Sequence, residues 1–229
     1  MALIKLPEGT QVSGSIGGTT YSHNKFGTYK RSRSIPTNPS SARQSIVRNN
    51  MQVAGALWKT LSAETQNTWN SLAALTPFKN KLGDTIYLTG FMLYVSGYTR
   101  LVNSGLGIAD FNPSYAPPVV PSPQFTMLDL DGGVSLNSNA AWNTGADYGL
   151  IIEATPQVSA GATSGSVKNK FKFLKSAKAA IATPYGITNE WQDLYGNQTA
   201  GTQVFVRVTM VHLATGIAGV PVIFNNIVP

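Results

Sequence analysis

"TQVFVRVTMVH", residues 202–212, is the clearest alternating run in the chain. Val204, Val206, Val208 and Met210 fall on one side of an extended backbone, so a strand with one face on a core is expected here. Outward from it, further strands are expected at 123–130, 134–142, 147–155, 167–175 and 217–227. Turns separate them at "DGG", "NTGAD", "SAGATSG" and "LATG". "TNEWQDLYG" interrupts the series with Thr188 as a helix cap and Gly196 as a stop, which predicts one short helix. Many short strands in the last half of a chain point to a β-sandwich of immunoglobulin or fibronectin type III kind.

Upstream the period changes. "GLGIADFNPSYAPPVVPSP" carries five prolines in nineteen residues and reads as a stiff linker or a wrapped loop. Before it lie three helical patterns. Asn38 as cap and Pro39 at the first helical position predict a start, after which Ile46, Val47, Met51, Ala54, Leu57, Trp58 and Leu61 recur at three- and four-residue spacing. Ser62 caps a second helix, with Glu64 in its first turn, Trp69, Leu72 and Ala73 on its apolar side, and Pro77 as its end. After the turn "KNKLGDT", a third helix through "GFMLYVSGYTRLV" presents Phe91, Tyr94, Val95, Tyr98, Leu101 and Val102 and stops at Asn103–Gly105. Trp58 and Trp69 are expected inside the helical unit, and Trp142 inside the β-sandwich.

Residues 9–34 read as extended chain, with a Gly-Gly turn and a second turn at "NKFG". Tyr29, Arg31 and Arg33 fall on one face of the second run, Lys30 and Ser32 on the other. Neither face is apolar enough for its own domain to bury. The fold class is therefore α+β, in four parts: an extended basic β arm or hairpin at 1–37, a small three-helix unit at 38–105, a Pro-rich linker at 106–122, and an immunoglobulin-like or fibronectin III-like β-sandwich at 123–229.

Charge narrows the function classes. Only 12% of the 229 residues are charged, about half the usual share, so solubility rests on Ser, Thr, Asn and Gln. Such a surface suits permanent packing against neighbours. The net charge of +7 is concentrated: residues 1–59 hold eight Lys/Arg against the single acid Glu8, and the rest of the chain is balanced. With no cysteine, disulfides, thiolate chemistry, cysteine zinc sites and iron–sulfur clusters are excluded. "MALIKLPEGT" lacks the apolar core of a signal peptide and no run approaches a membrane span, so synthesis in a cytoplasm is expected.

Catalytic apparatus is missing from the pattern. Two histidines, His23 and His212, stand far apart, and there is no metal-ligand cluster, P-loop or nucleophile elbow. No enzyme activity, cofactor or metal is expected. Asp129 and Asp131 before Gly132-Gly133 read as a solvated turn before they read as a calcium site. Trp142, Tyr148, Trp191 and Tyr195 could form a row for a sugar ring, against the simpler reading of a core tryptophan. Lys168, Lys170, Lys172, Lys175 and Lys178 alternate with Phe171 and Phe173. Lysines protecting a sheet edge, with both phenylalanines in the core, is the favoured reading, and a phosphate contact the alternative. The strongest signal is the arm. Tyr21, Lys25, Phe26, Tyr29, Lys30, Arg31, Arg33 and Arg43 are the candidate contacts, either to nucleic acid or to an acidic surface on a partner protein. No helix-turn-helix, RNA-recognition or zinc-finger pattern accompanies them.

Gly17-Gly18, the segment Phe26-Gly27-Thr28-Tyr29-Lys30-Arg31, Asn38-Pro39, Gln44 and the hairpin from Trp58 to Trp69 together resemble an uncharacterised family of virion structural proteins encoded in tailed bacteriophages and prophages. The resemblance covers roughly residues 14–105, and "LTGFMLYVSGYTRLVNSG" fits it too. It implies a virion component whose partners are copies of itself and other virion proteins. Phage virion proteins often carry immunoglobulin-like appendages, so the β-domain matches in style. The expected function is a non-enzymatic structural subunit (capsid-associated, neck or tail) that assembles through the basic arm. The alternatives are a nucleic-acid-packaging protein using the same arm and, less favoured, a glycan-binding adhesin.

Overall fold

The computed structural model describes residues 2–3, 13–24, 27–35, 37–79, 84–113, 116–138, 142–143, 147–178, 180–181 and 184–229. Four short strands open the chain: β1 (Ala2–Leu3), β2 (Gly14–Ile16), β3 (Thr19–Asn24) and β4 (Gly27–Ser32). They form an antiparallel sheet in the order β1-β4-β3-β2. The Gly17-Gly18 turn joins β2 to β3, whose register sets Ile16 opposite Thr19 and Gly14 opposite Tyr21. Arg33 donates its backbone N–H to the Gly18 carbonyl at 2.8 Å, extending the pairing past β4. Residues Met1–Ala42 form one compact unit and Arg43–Pro229 a second.

The second unit begins with α1 (Ala42–Thr60), α2 (Ala63–Leu75), the short strands β5 (Pro77–Lys79) and β6 (Thr85–Tyr87), and α3 (Gly90–Asn103). Asn38 and Pro39 do not start α1. The Asn38 side chain instead accepts the Ser40 N–H at 3.2 Å, and Ser40 sits at φ 44°. That left-handed residue breaks helical propagation, so α1 begins only at Ala42. The expected turn at 79–85 is also more ordered at its ends, because β5 pairs antiparallel with β6. The other boundaries follow local chemistry. Ser62 Oγ accepts the Thr65 N–H at 3.2 Å to cap α2. Thr89 Oγ1 does the same for Met92 of α3 at 3.3 Å. At the far end of α3, Gly105 at φ 74° lets its own N–H reach the Val102 carbonyl while Leu106 N–H reaches Leu101, both within 3.1 Å. This is a Schellman closure, and Leu106 is buried in the same cluster as Leu101.

The rest of the unit carries β7 (Met127–Asp129), β8 (Ser135–Asn137), β9 (Trp142–Asn143), β10 (Tyr148–Ala154), β11 (Val158–Ser159), β12 (Lys172–Lys178), β13 (Ala180–Ile181), β14 (Tyr185–Gly186), α4 (Thr188–Tyr195), β15 (Thr202–His212) and β16 (Val222–Ile227). All their pairings are antiparallel. β15 is central, with β10 and β11 on one side and β16 on the other, and β12 lies beyond β10. A second sheet runs β14-β8-β7. Leu128 and Leu136 of that sheet share one core with Leu150, Ile152, Val204, Val206, Val208 and Met210, closed at one end by Ile187 and Trp191. The architecture is mixed α+β with C-terminal antiparallel sheets. The strands expected at 123–130 and 217–227 are shorter than anticipated, and residues 164–170 form turns ahead of β12.

β15 is buried on both faces, not one. Phe205 and Val211 point away from the main core yet are 2% and 0% exposed. Val211 packs with Leu101, Leu106 and Leu213, so α3 lies on this second face. The Pro-rich segment wraps rather than bridges. Its Phe111 enters the ring cluster of Trp69 and Tyr94 at centroid separations of 5.1 and 5.2 Å, and Val120 packs on both the helical and the sheet cores. Among the described residues, no helix is long and apolar enough to cross a membrane.

Candidate functional site: the basic N-terminal sheet

Antiparallel pairing decides which arm residues share a side. Tyr21 stands opposite Lys30, Ser22 opposite Tyr29, and Thr20 opposite Arg31. Residues directly opposite project to the same face. Tyr21, Lys30 and Ser32 therefore lie on one face, and Tyr29, Arg31, Thr20 and Ser22 on the other, as the alternation in the sequence predicts. On the second face Ser15 Oγ and Thr20 Oγ1 meet at 2.8 Å. Lys30, Arg31 and Arg33 are exposed, whereas Tyr21 and Tyr29 are half-buried. Lys25 and Phe26 lie outside the described residues. Arg43 is exposed in the first turn of α1, in the other unit.

Two features set this sheet apart. Among the residues whose burial is described, none before Ala54 is buried, so these residues of the sheet enclose no core. Among the described residues, Lys30, Arg31 and Arg33 form no ion pair; the two pairs present are Lys175–Glu190 and Arg207–Glu153. Bare sheets of this size are marginal without an apolar cover. The cations are also divided between faces, so a phosphate backbone along either face meets only part of the set.

The other sequence candidates resolve into structural parts. Trp69 is 1% exposed in the helical core. Trp58 is half-buried, edge-on to Phe91 at 5.8 Å and tilted on Tyr94 at 5.3 Å. The Trp142 backbone pairs with Ile181, and its side chain lies outside the described residues. The core tryptophan of the sheets is Trp191. It is fully buried and donates Nε1–H to the Thr155 carbonyl at 3.1 Å, while Tyr195 donates to Ala154 at 2.9 Å. Tyr148 donates to Val119 at 3.2 Å. These three do not form an exposed sugar-binding row.

Thr188 does not cap α4. Ile187 occupies the cap position, and the Thr188 hydroxyl instead accepts the Val134 N–H at 2.9 Å, tying the helix to the β7–β8 connection. The Lys-Phe alternation also differs from expectation. A bulge between Ile152 and Glu153 leaves Phe173 opposite Glu153, and Arg207 lies over the Phe171 ring at 4.5 Å. Both phenylalanines thus sit half-buried on the outer face beside the Glu153–Arg207 pair, not in the core. Lys172 and Lys175 lie on the α4 side, over Tyr195 and Tyr185 at 5.5 and 5.4 Å. At the β7 turn, Asp129 Oδ1 accepts the Asp131 N–H at 3.0 Å and Oδ2 accepts from Asn137 at 3.4 Å. That is an Asx turn. Among the described residues, no group of three His, Cys, Asp or Glu gathers for a metal.

Two half-buried basic groups lie at the junction of α3 with the sheet. The Arg100 guanidinium donates to the Gly216 carbonyl, and burial pushes it below its usual range. His212 Nδ1 lies 3.0 Å from Thr215 Oγ1; burial lowers the imidazole, with Asp147 opposing in part. Compared with protein families, curated proteins and solved structures, the chain has no match.

Proposed function

We propose that the chain is a non-enzymatic structural subunit of a bacteriophage particle, capsid-associated or in the neck or tail, which assembles through its basic N-terminal sheet. The observation that carries this reading is a four-stranded sheet in which no residue of described burial is buried, with exposed cations that have no ion-pair partner among the described residues. A sheet of this kind completes its burial on a neighbour, by strand addition or by covering a face. The phage assignment is supported by the resemblance carried by Gly17-Gly18, Asn38-Pro39, Gln44 and the Trp58–Trp69 hairpin. The β-region is read as an immunoglobulin- or fibronectin-like appendage. The support is its strand order: β7, β8 and β14 in one sheet, and β12, β10, β15 and β16 in the other.

The partner of the sheet is protein in this reading. The cations point both ways, so no single face presents the whole set to a phosphate backbone. The test neutralises Lys25, Lys30, Arg31 and Arg33 to Gln in the full chain. Association measured by sedimentation velocity should fall, while duplex binding stays weak and unaltered. Submicromolar, steeply salt-dependent duplex affinity in the unmodified chain, with a log–log slope flattening by about 3–4 units on neutralisation, would instead make the arm a nucleic-acid contact.

A further inference from the structure

The connection from β15 to β16 is where the sheet meets the helical core, and one imidazole ring holds its shape. His212, the last residue of β15, is half-buried, and its Nδ1 lies 3.0 Å from Oγ1 of Thr215. Thr215 is fully buried, and its hydroxyl also accepts the Ile217 N–H at 3.4 Å. Two backbone bonds close the same turn. His212 N–H reaches the Ile217 carbonyl at 2.9 Å, and Gly216 N–H reaches the His212 carbonyl at 2.8 Å.

The helical core uses every residue that this turn presents to it. The Thr215 carbonyl abuts Gly97 of α3, Gly216 lies against the Gly97 backbone, and the Gly216 carbonyl accepts from Arg100. Ile217 enters the cluster of Trp69, Tyr94 and Tyr98. The His212 ring therefore stands one hydrogen bond away from the contact between sheet and α3.

Counting protons gives that bond a direction. A threonine hydroxyl has one proton to donate and two lone pairs. One lone pair takes the Ile217 N–H. The proton goes to Nδ1, the acceptor that the described residues offer it, so the neutral ring is the Nε2–H tautomer. An imidazolium carries a proton on both nitrogens and only donates. Thr215 must then turn its own proton away from the ring, inside the protein, where an unpartnered donor is costly. The surrounding charges do not reverse this. Asp147, just before β10, favours the imidazolium, but burial opposes it and is the larger effect. Tyr148 of β10 covers the ring at 5.4 Å, and Arg100 of α3 already places a cation on the same turn.

We propose that the His212–Thr215 hydrogen bond is an acid-released latch: protonating the imidazole loosens residues 213–217 from α3 while the sheet stays folded. β15 keeps its ladders with β10 and β16, so the turn, held by few bonds, yields first.

The test is residue-resolved hydrogen exchange on the full chain between pH 7.5 and pH 5, corrected for intrinsic exchange. The His212 and Gly216 amides should lose protection by about tenfold or more, setting in below the ordinary histidine pKa of about 6.5. The Val206 and Val208 amides, in the middle of β15, should keep theirs. Thr215→Val removes the hydroxyl at nearly constant shape and should abolish the pH dependence although His212 still titrates. Thr215→Ser restores the hydroxyl and should restore the response. A response that survives in Thr215→Val, an equal loss at Val206 and Val208, or unchanged protection at pH 5 would each overturn the latch.

Discussion

Gly216 and Gly97 set how closely α3 approaches the connection between β15 and β16. Gly216 lies at φ 65°, and a methyl group on it would run into the Gly97 backbone; one on Gly97 would meet the Thr215 carbonyl. Gly216→Ala should therefore cost about 2–4 kcal/mol, the sum of a left-handed alanine and an overpacked contact. Gly55 faces open space inside α1, so Gly55→Ala should stabilise by about 0.5–1 kcal/mol. Urea denaturation of the two variants reads both signs, and a neutral Gly216→Ala would mean the approach can relax. The tryptophans divide in the same way. Trp69→Ala should cost about 3–5 kcal/mol, and Trp58→Ala clearly less because its ring is half-exposed. The sequence places both indoles inward; only the packing of α3 distinguishes them. "LATG" is legible as a turn, but its contact with a helical glycine more than a hundred positions away is not.

Single elements were readable where their determinants are local. α2 begins at its predicted cap, α2, α3 and α4 end close to their predicted stops, and β10 and β15 follow their alternation. α1 failed at its start because an Asx turn at Asn38 competes with helix initiation, an alternative that propensity does not rank. The Lys-Phe strand stands at a sheet edge as expected, but the bulge in β10–β12 pairing changes which side each residue faces, so the phenylalanines lie outside the core. β12 and α4 are joined by Lys175 and Glu190, 2.5 Å apart. Burial works to raise the Glu190 carboxyl, but the hydrogen bond and charge of Lys175 outweigh it and hold it below its usual range. A depressed carboxylate stabilises the fold above its ordinary value and loses that contribution as pH falls through the lowered one. His212 at the end of β15 acts in the same direction at higher pH: its imidazole is held neutral, and protonation favours the unfolded chain as pH drops below the ordinary histidine value. Melting midpoints should fall in two steps on acidification. His212→Gln should flatten the step below about pH 6.5, and Glu190→Gln the one below about pH 4.5. An unchanged profile in either variant would remove that group from the linkage.

The whole chain separates into a part that supports itself and a part that does not. The three core clusters are built entirely from residues at and beyond Ala54. Removing residues 1–37 should leave the melting midpoint within a degree or two, while higher-order assembly of the subunit is lost. A large drop in midpoint would show that the sheet stabilises the second unit. Assembly at the yield of the intact chain would take the sheet out of the mechanism.

Local sequence alone determined the Ser62 cap of α2, the two long strands, the concentration of cations in the first quarter and the lack of an apolar face in the arm. Each depends on residues within a few positions of one another, where propensity, capping and alternation act directly. Tertiary structure decided the rest: the two-sided burial of β15, the wrapping of the Pro-rich segment, the inward place of Trp191 and the apolar residues that α1 leaves exposed. These depend on which distant surfaces meet. α1 carries an apolar arc wider than one neighbour can cover, and no spacing within the helix says which half α3 will leave in solvent.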